Sequence, residues 1–153
     1  MEHPLKTLWE KPSRLVIGFM SGTSADGVDA ALVRITGYGT QTRAEQLGFR
    51  FVPFSDEVRA EILRLAGGGS ASAADFCRMN FLLGELFCEA GEALCAQSGT
   101  KLSDIDLIGS HGQTFWHIPE KEEYLSRTFA STFQLGEEAV LAERFGCPVV
   151  GNF

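Results

Sequence analysis

Residues 14–35 carry the sequence RLVIGFMSGTSADGVDAALVRI, in which two apolar runs flank a segment of small and polar residues. The runs Arg14–Met20 and Val28–Ile35 have the length and composition of strands, and Ser21–Gly27 has the composition of a turn. A third run, Glu45–Pro53, alternates apolar and polar side chains with the period of a strand. Three strands joined by short turns predict an antiparallel meander.

Two helices are predicted to follow the meander. Ser55 can cap the first helix, whose opening turn is acidic, and the glycines from Gly67 onward end it. The second helix runs from Ser72 to about Ser98 and carries an apolar stripe at three- and four-residue steps, which is typical of a helix packed on a core. The stripe consists of Phe76, Met79, Leu83, Leu86, Phe87, Ala90 and Leu94.

The last third of the chain alternates strand and helix patterns. We predict a buried strand at Ile105–Ser110 that ends in the polar loop His111–Thr114, a weaker strand at Ser131–Leu135, a helix at Glu137–Phe145 closed by Gly146, and a strand at Pro148–Phe153. Helix–strand crossovers place such strands parallel to a neighbour, with helices over the sheet. The predicted fold class is therefore α/β, with a mixed sheet made of a β-β-β meander and then α/β crossovers.

The pattern also predicts a domain organisation, with a lead-in at residues 1–13 and one domain at residues 14–153. The lead-in is polar and interrupted by proline, so we expect it to be loose. The apolar strand at the end of the sequence has no following helix to cover it. We therefore expect the chain to be truncated before a second domain.

Composition and charge exclude several classes of function. Thirteen Lys and Arg against twenty Asp and Glu give a formal charge of −7, and no cluster of basic residues is present to neutralise a nucleic-acid backbone. The apolar runs are far shorter than the ~20 residues of a membrane span. We therefore expect a cytoplasmic protein that binds neither nucleic acid nor membrane and whose four cysteines are reduced.

The turn between the first two predicted strands carries the strongest chemical signal. Gly22 and Gly27 let main-chain amides approach a ligand closely, and a concave turn of this kind can hold phosphate oxygens. Asp26 and Asp29 would repel a bare polyphosphate, so their presence indicates Mg²⁺ beside it. An ordinary hairpin turn uses the same residue types, and the residues alone leave both interpretations open.

A second polar segment, His111–His117, is predicted at the carboxyl end of a strand, where open α/β sheets bind ligands. Its imidazole, amide and hydroxyl groups beside an indole are suited to a sugar. The alternative is a structural loop in which Phe115 and Trp116 pack into the core and His111 bonds to the backbone. A third polar spot is Gln134-Leu135-Gly136-Glu137, at the start of the last predicted helix.

Together these residues resemble the anhydro-N-acetylmuramic acid kinase family. The resemblance rests on four motifs in the family's order and spacing: Met20-Ser21-Gly22-Thr23-Ser24-x-Asp26-Gly27-x-Asp29, Ser110-His111-Gly112-Gln113-Thr114, Gln134-x-Gly136, and Val149-Val150-Gly151-Asn152-Phe153. The chain departs from the family at Glu137 and Asn152, where Asp is common; both residues keep a polar group.

The resemblance implies an actin/hexokinase/Hsp70-like (ribonuclease H-like) domain, with two such domains around a nucleotide cleft in the family. It implies ATP and Mg²⁺ as cofactors. The implied small-molecule substrate is 1,6-anhydro-N-acetylmuramic acid, phosphorylated at O6 while water opens the anhydro ring in peptidoglycan recycling. A homodimer is also implied. The family's general-base Asp is expected just beyond Phe153, so we expect the isolated chain to be inactive; the alternative is a non-catalytic nucleotide- or sugar-binding module of the same fold.

The resemblance also implies which residues form the site. The nucleotide would bind along the turn, at Gly22, Thr23, Ser24, Ala25, Asp26, Gly27, Val28 and Asp29. The sugar side of the cleft would be lined by His111, Gln113, Thr114 and Gln134. The candidate metal ligands are Asp26 and Asp29, and no catalytic residue is expected within residues 14–153.

Overall fold

The computed structural model describes residues 4–68, 70–151 and 153. Its helices are α1 (Pro4–Glu10), α2 (Asp56–Ala66), α3 (Ala73–Ser98) and α4 (Glu138–Phe145). Its strands are β1 (Ser13–Ser21), β2 (Gly27–Thr36), β3 (Arg43–Pro53), β4 (Leu107–Tyr124), β5 (Arg127–Leu135) and β6 (Val149–Gly151). None of the helices in this described part is long and apolar enough to cross a membrane.

The strands form one mixed sheet in the order β3-β2-β1-β4-β5, with β6 also pairing with β4. Strands β1, β2 and β3 are antiparallel neighbours, which confirms the predicted meander. Strand β4 lies parallel to β1 and β6 and antiparallel to β5. The chain is therefore mixed α/β, and the carboxyl end of β1 lies beside the middle of β4.

The helix boundaries follow the capping residues that the sequence predicts. Ser55 accepts a hydrogen bond from Val58 N, and Ser72 forms a capping box with Asp75. Gly146 ends α4 in the left-handed conformation, at a φ of 65°. These predicted helix ends are confirmed.

One face of the sheet packs against α3. Leu83, Phe87 and Leu94 of α3 are fully buried, as the predicted apolar stripe requires. The ring of Phe87 stacks on that of Phe19 in β1, with centroids 5.9 Å apart. A Cβ at Gly91 would come within 2.8 Å of the Phe19 ring, so the helix packs closely on the strand. This packing fixes β1 and hence the start of the turn that follows it.

The segment before β1 differs from the loose lead-in predicted from the sequence, because Pro4–Glu10 is helical. The buried Arg14 ties it to the sheet: Nε donates to Leu8 O at 3.0 Å, and Nη2 donates to Lys11 O at 2.8 Å. The guanidinium also lies 4.2 Å from the centre of the Tyr38 ring. The sequence pattern did not predict this arrangement because it depends on a partner far along the chain.

The segment His111–Thr114 belongs to β4 and is not a loop, which corrects the prediction. Strand β5 pairs with β4 beyond the end of β1, with Gln113 opposite Leu135. This antiparallel partner supplies the ladder that stabilises a polar strand, and strand propensity is strongly dependent on such context. For the same reason β5 covers Arg127–Leu135 and is longer than the predicted Ser131–Leu135.

The last strand is shorter than predicted, since β6 comprises Val149–Gly151 and the prediction was Pro148–Phe153. Within that prediction, Asn152 lies outside the described residues. Residues 1–3 of the predicted lead-in and Gly69, at the predicted end of α2, also lie outside them.

Candidate functional site

The turn between β1 and β2 has a defined shape. Ala25 N donates to Gly22 O at 3.1 Å, and Ala25 has a φ of 49°, in the left-handed region that residues with a side chain rarely adopt. The side chain of Ala25 is buried within the core. Phe54 N, just after β3, donates to Asp26 O at 3.0 Å and holds the far end of the turn.

Two buried polar side chains support the turn from the sheet. Ser21 Oγ lies 2.6 Å from both Gly27 O and Gln113 Oε1, and its single proton serves these two acceptors. Gln113 Nε2 donates to Gly22 O at 2.7 Å. The sequence predicts Gln113 on the sugar side of the cleft, whereas the structure uses its amide to hold the turn. No local sequence pattern signals this role.

The outward side of the turn is formed by Gly22, Thr23 and Ser24. The side chains of Thr23 and Ser24 are exposed. In the part of the chain that the structure describes, their amides donate to no protein acceptor. A Cβ at Gly22 would meet no atom within 4 Å, whereas a Cβ at Gly27 would overlap Val52 O. The outward side therefore presents unused main-chain donors beside open space.

The two candidate metal ligands lie on different elements. Asp26 is an exposed turn residue whose carboxylate accepts a hydrogen bond from Ser24 Oγ at 2.8 Å. Asp29 is an exposed residue of β2, on the opposite face from Val28, which the structure places in the core. Among residues 4–68, 70–151 and 153, no three His, Cys, Asp or Glu side chains come together. The side chains of this region therefore do not form a closed metal site.

A cavity of about 360 Å³ connects the turn with β4 and β5. Its lining residues are Thr23, His111, Thr114, His117, Thr132, Gln134 and Phe153. Three residues predicted on the sugar side, His111, Thr114 and Gln134, thus face the same space as Thr23 of the turn. Thr132 was not predicted here, although the two-residue period of a strand places it on the same face as Gln134.

A second cavity, of about 310 Å³, shares His111 and Gln134 with the first and is also lined by Asn80. Asn80 Oδ1 accepts from Gly136 N at 2.8 Å, and Nδ2 donates to Glu137 Oε2 at 2.8 Å. These bonds fix the start of α4 beside the cavity. Asn80 was not predicted; the sequence signals it only as one amide in an otherwise apolar stretch of α3.

The structural alternative for the His111–His117 segment is correct for Phe115 and wrong for Trp116, and the sugar-binding interpretation stays a prediction. Phe115 is in the core, as the structural alternative predicts, but Trp116 is 54% exposed. The ring of His111 is half-buried, with Nδ1 3.4 Å from Gly112 O, and its edge meets the ring of Phe153. The segment thus contributes both to the core and to the cavity wall.

Comparison with known proteins adds independent information. The profile of the anhydro-N-acetylmuramic acid kinase family matches residues 14–153. A protein of that name from Caldanaerobacter subterraneus subsp. tengcongensis is 48% identical over 149 residues, which cover 97% of this chain and 38% of that protein. Proteins of the same name from Bacillus thuringiensis subsp. konkukian and Bacillus anthracis are each 39% identical over 138 residues, which cover 90% of this chain and 35% of theirs.

The chain therefore spans less than two-fifths of the length of these curated relatives. Within that length, the matched region contains the turn, the β4 motif and both cavities described above. Because the family profile covers nine-tenths of the chain, this chain belongs to the anhydro-N-acetylmuramic acid kinase family.

Proposed function

We propose that this chain supplies the phosphate-binding part of an ATP-dependent kinase. The reaction is phosphorylation of 1,6-anhydro-N-acetylmuramic acid at O6, with hydrolytic opening of the anhydro ring, in peptidoglycan recycling. The observation that carries the proposal is the cavity of about 360 Å³ shared by Thr23 of the turn and by His111, Thr114 and Gln134. Phosphoryl transfer requires donor and acceptor to be held side by side, and this cavity lies between groups suited to each.

The outward side of the turn fits a phosphate group. The unused amides of Thr23 and Ser24 are the donors that phosphate oxygens require, and the exposed Thr23 hydroxyl adds a further donor. The open space at Gly22 lets a ligand approach the main chain closely. We assign the ATP phosphates to this side, with the buried residues Ala25, Gly27 and Val28 as its support.

Mg²⁺ fits this site as an ion held mainly by the nucleotide. Magnesium is usually bound through one or two carboxylates together with substrate phosphates and water. Asp26, hydrogen-bonded to Ser24 on the outward side of the turn, is the better placed of the two candidate carboxylates. Asp29, on β2, is the second candidate. When bound, the ion would offset the negative charge of the phosphates beside these side chains.

The sugar is assigned to the part of the cavity formed by β4 and β5. An imidazole, a hydroxyl and an amide, from His111, Thr114 and Gln134, offer both donors and acceptors to sugar hydroxyls. The order of a meander followed by crossovers supports the actin/hexokinase/Hsp70-like class for this domain. The homodimer stays a prediction of the family resemblance, and the cytoplasmic location stays a prediction from the sequence composition.

Replacement of Gly22 by alanine tests the proposal. Because the protein leaves the space at Gly22 open, Gly22→Ala should fold with a melting temperature no lower than that of the wild type, yet bind Mg·ATP about tenfold or more weakly. Gly18→Ala in β1 is the matched control, since a Cβ there also meets no atom within 4 Å. The measurement is binding, by calorimetry or ³¹P NMR, because this chain spans 38% of the Caldanaerobacter relative and turnover belongs to the whole protein.

Three results would contradict the proposal. Equal affinity for Mg·ATP in the wild type and in both variants would show that the phosphates do not bind at the turn. Equal loss in Gly18→Ala and Gly22→Ala would assign the effect to strand flexibility instead of the space at Gly22. Absence of Mg·ATP binding by the folded wild-type chain would show that this region does not bind the nucleotide by itself.

A further inference from the structure

Gln113 is a fully buried polar side chain in the middle of a strand. Its Oε1 accepts from Ser21 Oγ at 2.6 Å, and its Nε2 donates to Gly22 O at 2.7 Å and to Thr114 O at 2.9 Å. Burial of an amide is costly unless hydrogen bonds replace those made with water, and here three bonds do so. Two of the three join β4 to residues more than 90 positions earlier in the chain.

A bulge in β4 aims Gln113 at the turn. Strands β1 and β4 pair Phe19 with Ser110 and then Ser21 with Gln113, so β4 holds one extra residue between these pairs. Gly112 accommodates the extra residue at a φ of 77°, and a side chain there would overlap the backbone of β5. Without the extra residue, the alternation of the strand would send Gln113 to the opposite face from Ser21.

The hydrogen bond to Gly22 O determines where the next amide points. Gly22 O and Thr23 N belong to one peptide group, which is planar and trans, so its C=O and N–H point in opposite directions. Gln113 Nε2 and Ala25 N both donate to Gly22 O and hold it on the inner side of the turn. The Thr23 N–H therefore points outward, toward the side assigned to the phosphates.

A glutamine amide is the group that this position requires. One end must accept a proton from a hydroxyl, and the other must donate two protons to carbonyl oxygens. We propose that Gln113 is a positioning residue, which fixes the Gly22 peptide and so orients the Thr23 amide for a phosphate group. This inference rests on the proposed function of the turn, and it concerns the arrangement of the turn instead of direct contact with ATP.

The substitution Gln113→Glu tests this role, because it keeps the shape and the acceptor and removes both donors. At about pH 7.5 we expect the folded variant to bind Mg·ATP about tenfold or more weakly than the wild type. Burial raises the pKa of the introduced carboxyl group, and its protonated form regains one donor. The ratio of the variant's Kd to the wild type's should therefore fall as the pH is lowered toward about 5.5, which a purely structural defect would not produce.

The matched control is Gln97→Glu, the same chemical change at a glutamine on α3. Gln97 Nε2 also donates to a strand carbonyl, Phe49 O, at 3.3 Å, but it does not touch the turn. We expect wild-type affinity for Mg·ATP from this variant at every pH. A second readout is the amide ¹H and ¹⁵N chemical shift of Thr23 and Ser24 in the free protein, which should move in Gln113→Glu and not in the control.

The outcomes separate this inference from the proposed function. Wild-type affinity in folded Gln113→Glu overturns the positioning role and leaves the function of the turn intact. If that variant does not fold, Gln113→Asn takes its place, because its shorter side chain keeps the amide but withdraws the donor from Gly22 O; wild-type affinity there has the same meaning. If the wild type does not bind Mg·ATP, the proposed function fails. The chemical shifts of the Thr23 and Ser24 amides in Gln113→Glu then decide the inference alone. Changed shifts support the orientation of the turn by Gln113, and unchanged shifts overturn it.

Discussion

Replacement of Gly112 by alanine should destabilise the sheet at the point where β4 changes register. Gly112 has a φ of 77°, in the left-handed region, where a residue with a side chain costs about 1–2 kcal/mol. The new Cβ would also lie 2.8 Å from Leu135 O, closer than ordinary Cβ contacts come. Overpacking of this kind costs about 1–3 kcal/mol.

A smaller effect opposes these two costs, because alanine lowers the conformational entropy of the unfolded chain by an equivalent of about 0.4–1 kcal/mol. The free energy of unfolding should therefore fall by about 1–5 kcal/mol. For a chain of this length, that corresponds to a melting temperature lower by roughly 3–15 °C. This loss of stability should be larger than the loss from replacing a glycine at which only the φ angle disfavours alanine.

Gly99→Ala is the control for the φ angle alone. Gly99 has a φ of 67° at the end of α3, but a Cβ there meets no atom within 4 Å, so we expect a loss of about 1 kcal/mol. Urea unfolding monitored by circular dichroism, checked against thermal unfolding, measures both variants. Equal losses at Gly112 and Gly99 would refute the predicted overlap with β5 and the account of the bulge that depends on it.

Two further predictions concern titration. The Ser72 amide, which donates to the Asp75 carboxylate, lowers the pKa of Asp75 from 3.8 to about 2. The stabilisation of α3 by this carboxylate is therefore present above about pH 4 and is lost as the pH falls toward about 2. Amide hydrogen exchange at the start of α3 measures this loss, and an unchanged pH dependence in Asp75→Asn would contradict the prediction. Burial raises the pKa of the thiols of Cys88 and Cys147 to about 11, whereas Cys77 is exposed, so a thiol reagent at about pH 8 should react rapidly at Cys77 alone. Loss of the fast phase in Cys77→Ser checks the second prediction, and rapid reaction of a second thiol in the folded protein would contradict it.

The parts of the fold that have local causes could be predicted from the sequence. Ser55 and Ser72 cap α2 and α3 because a side-chain oxygen at that position satisfies an amide of the first turn, whatever surrounds the helix. Gly146 ends α4 because the left-handed conformation there suits a residue without a Cβ. The meander could be predicted in the same way, since its first two strands are mainly apolar, its third alternates apolar and polar side chains, and its turns are short.

The parts that could not be predicted depend on distant residues. The segment His111–Thr114 is polar enough to resemble a loop, and its pairing with β1 and β5 makes it part of a strand. The segment Pro4–Glu10 is helical and is held by Arg14, which contacts Tyr38. In the site, His111 and Thr114 line the cavity, but the one-residue bulge between them directs Gln113 toward the turn instead. Gly112 is the one residue type that marks the bulge, and a single glycine in a polar segment is equally typical of a loop.

Packing within the protein explains one glycine of the turn, Gly27, and does not explain the other, Gly22. Gly27 is required by β3, because a Cβ there would overlap Val52 O. At Gly22 the φ angle is not left-handed and the neighbouring space is open, so alanine would be tolerated and would even stabilise the chain by about 0.4–1 kcal/mol. Gly18 is equally open, so open space alone does not indicate a ligand. What distinguishes Gly22 is that the next two amides have no acceptor within the described residues, and that the inward Gly22 carbonyl orients the first of them outward. A bound phosphate would supply that acceptor, and it would use the space that an alanine would fill.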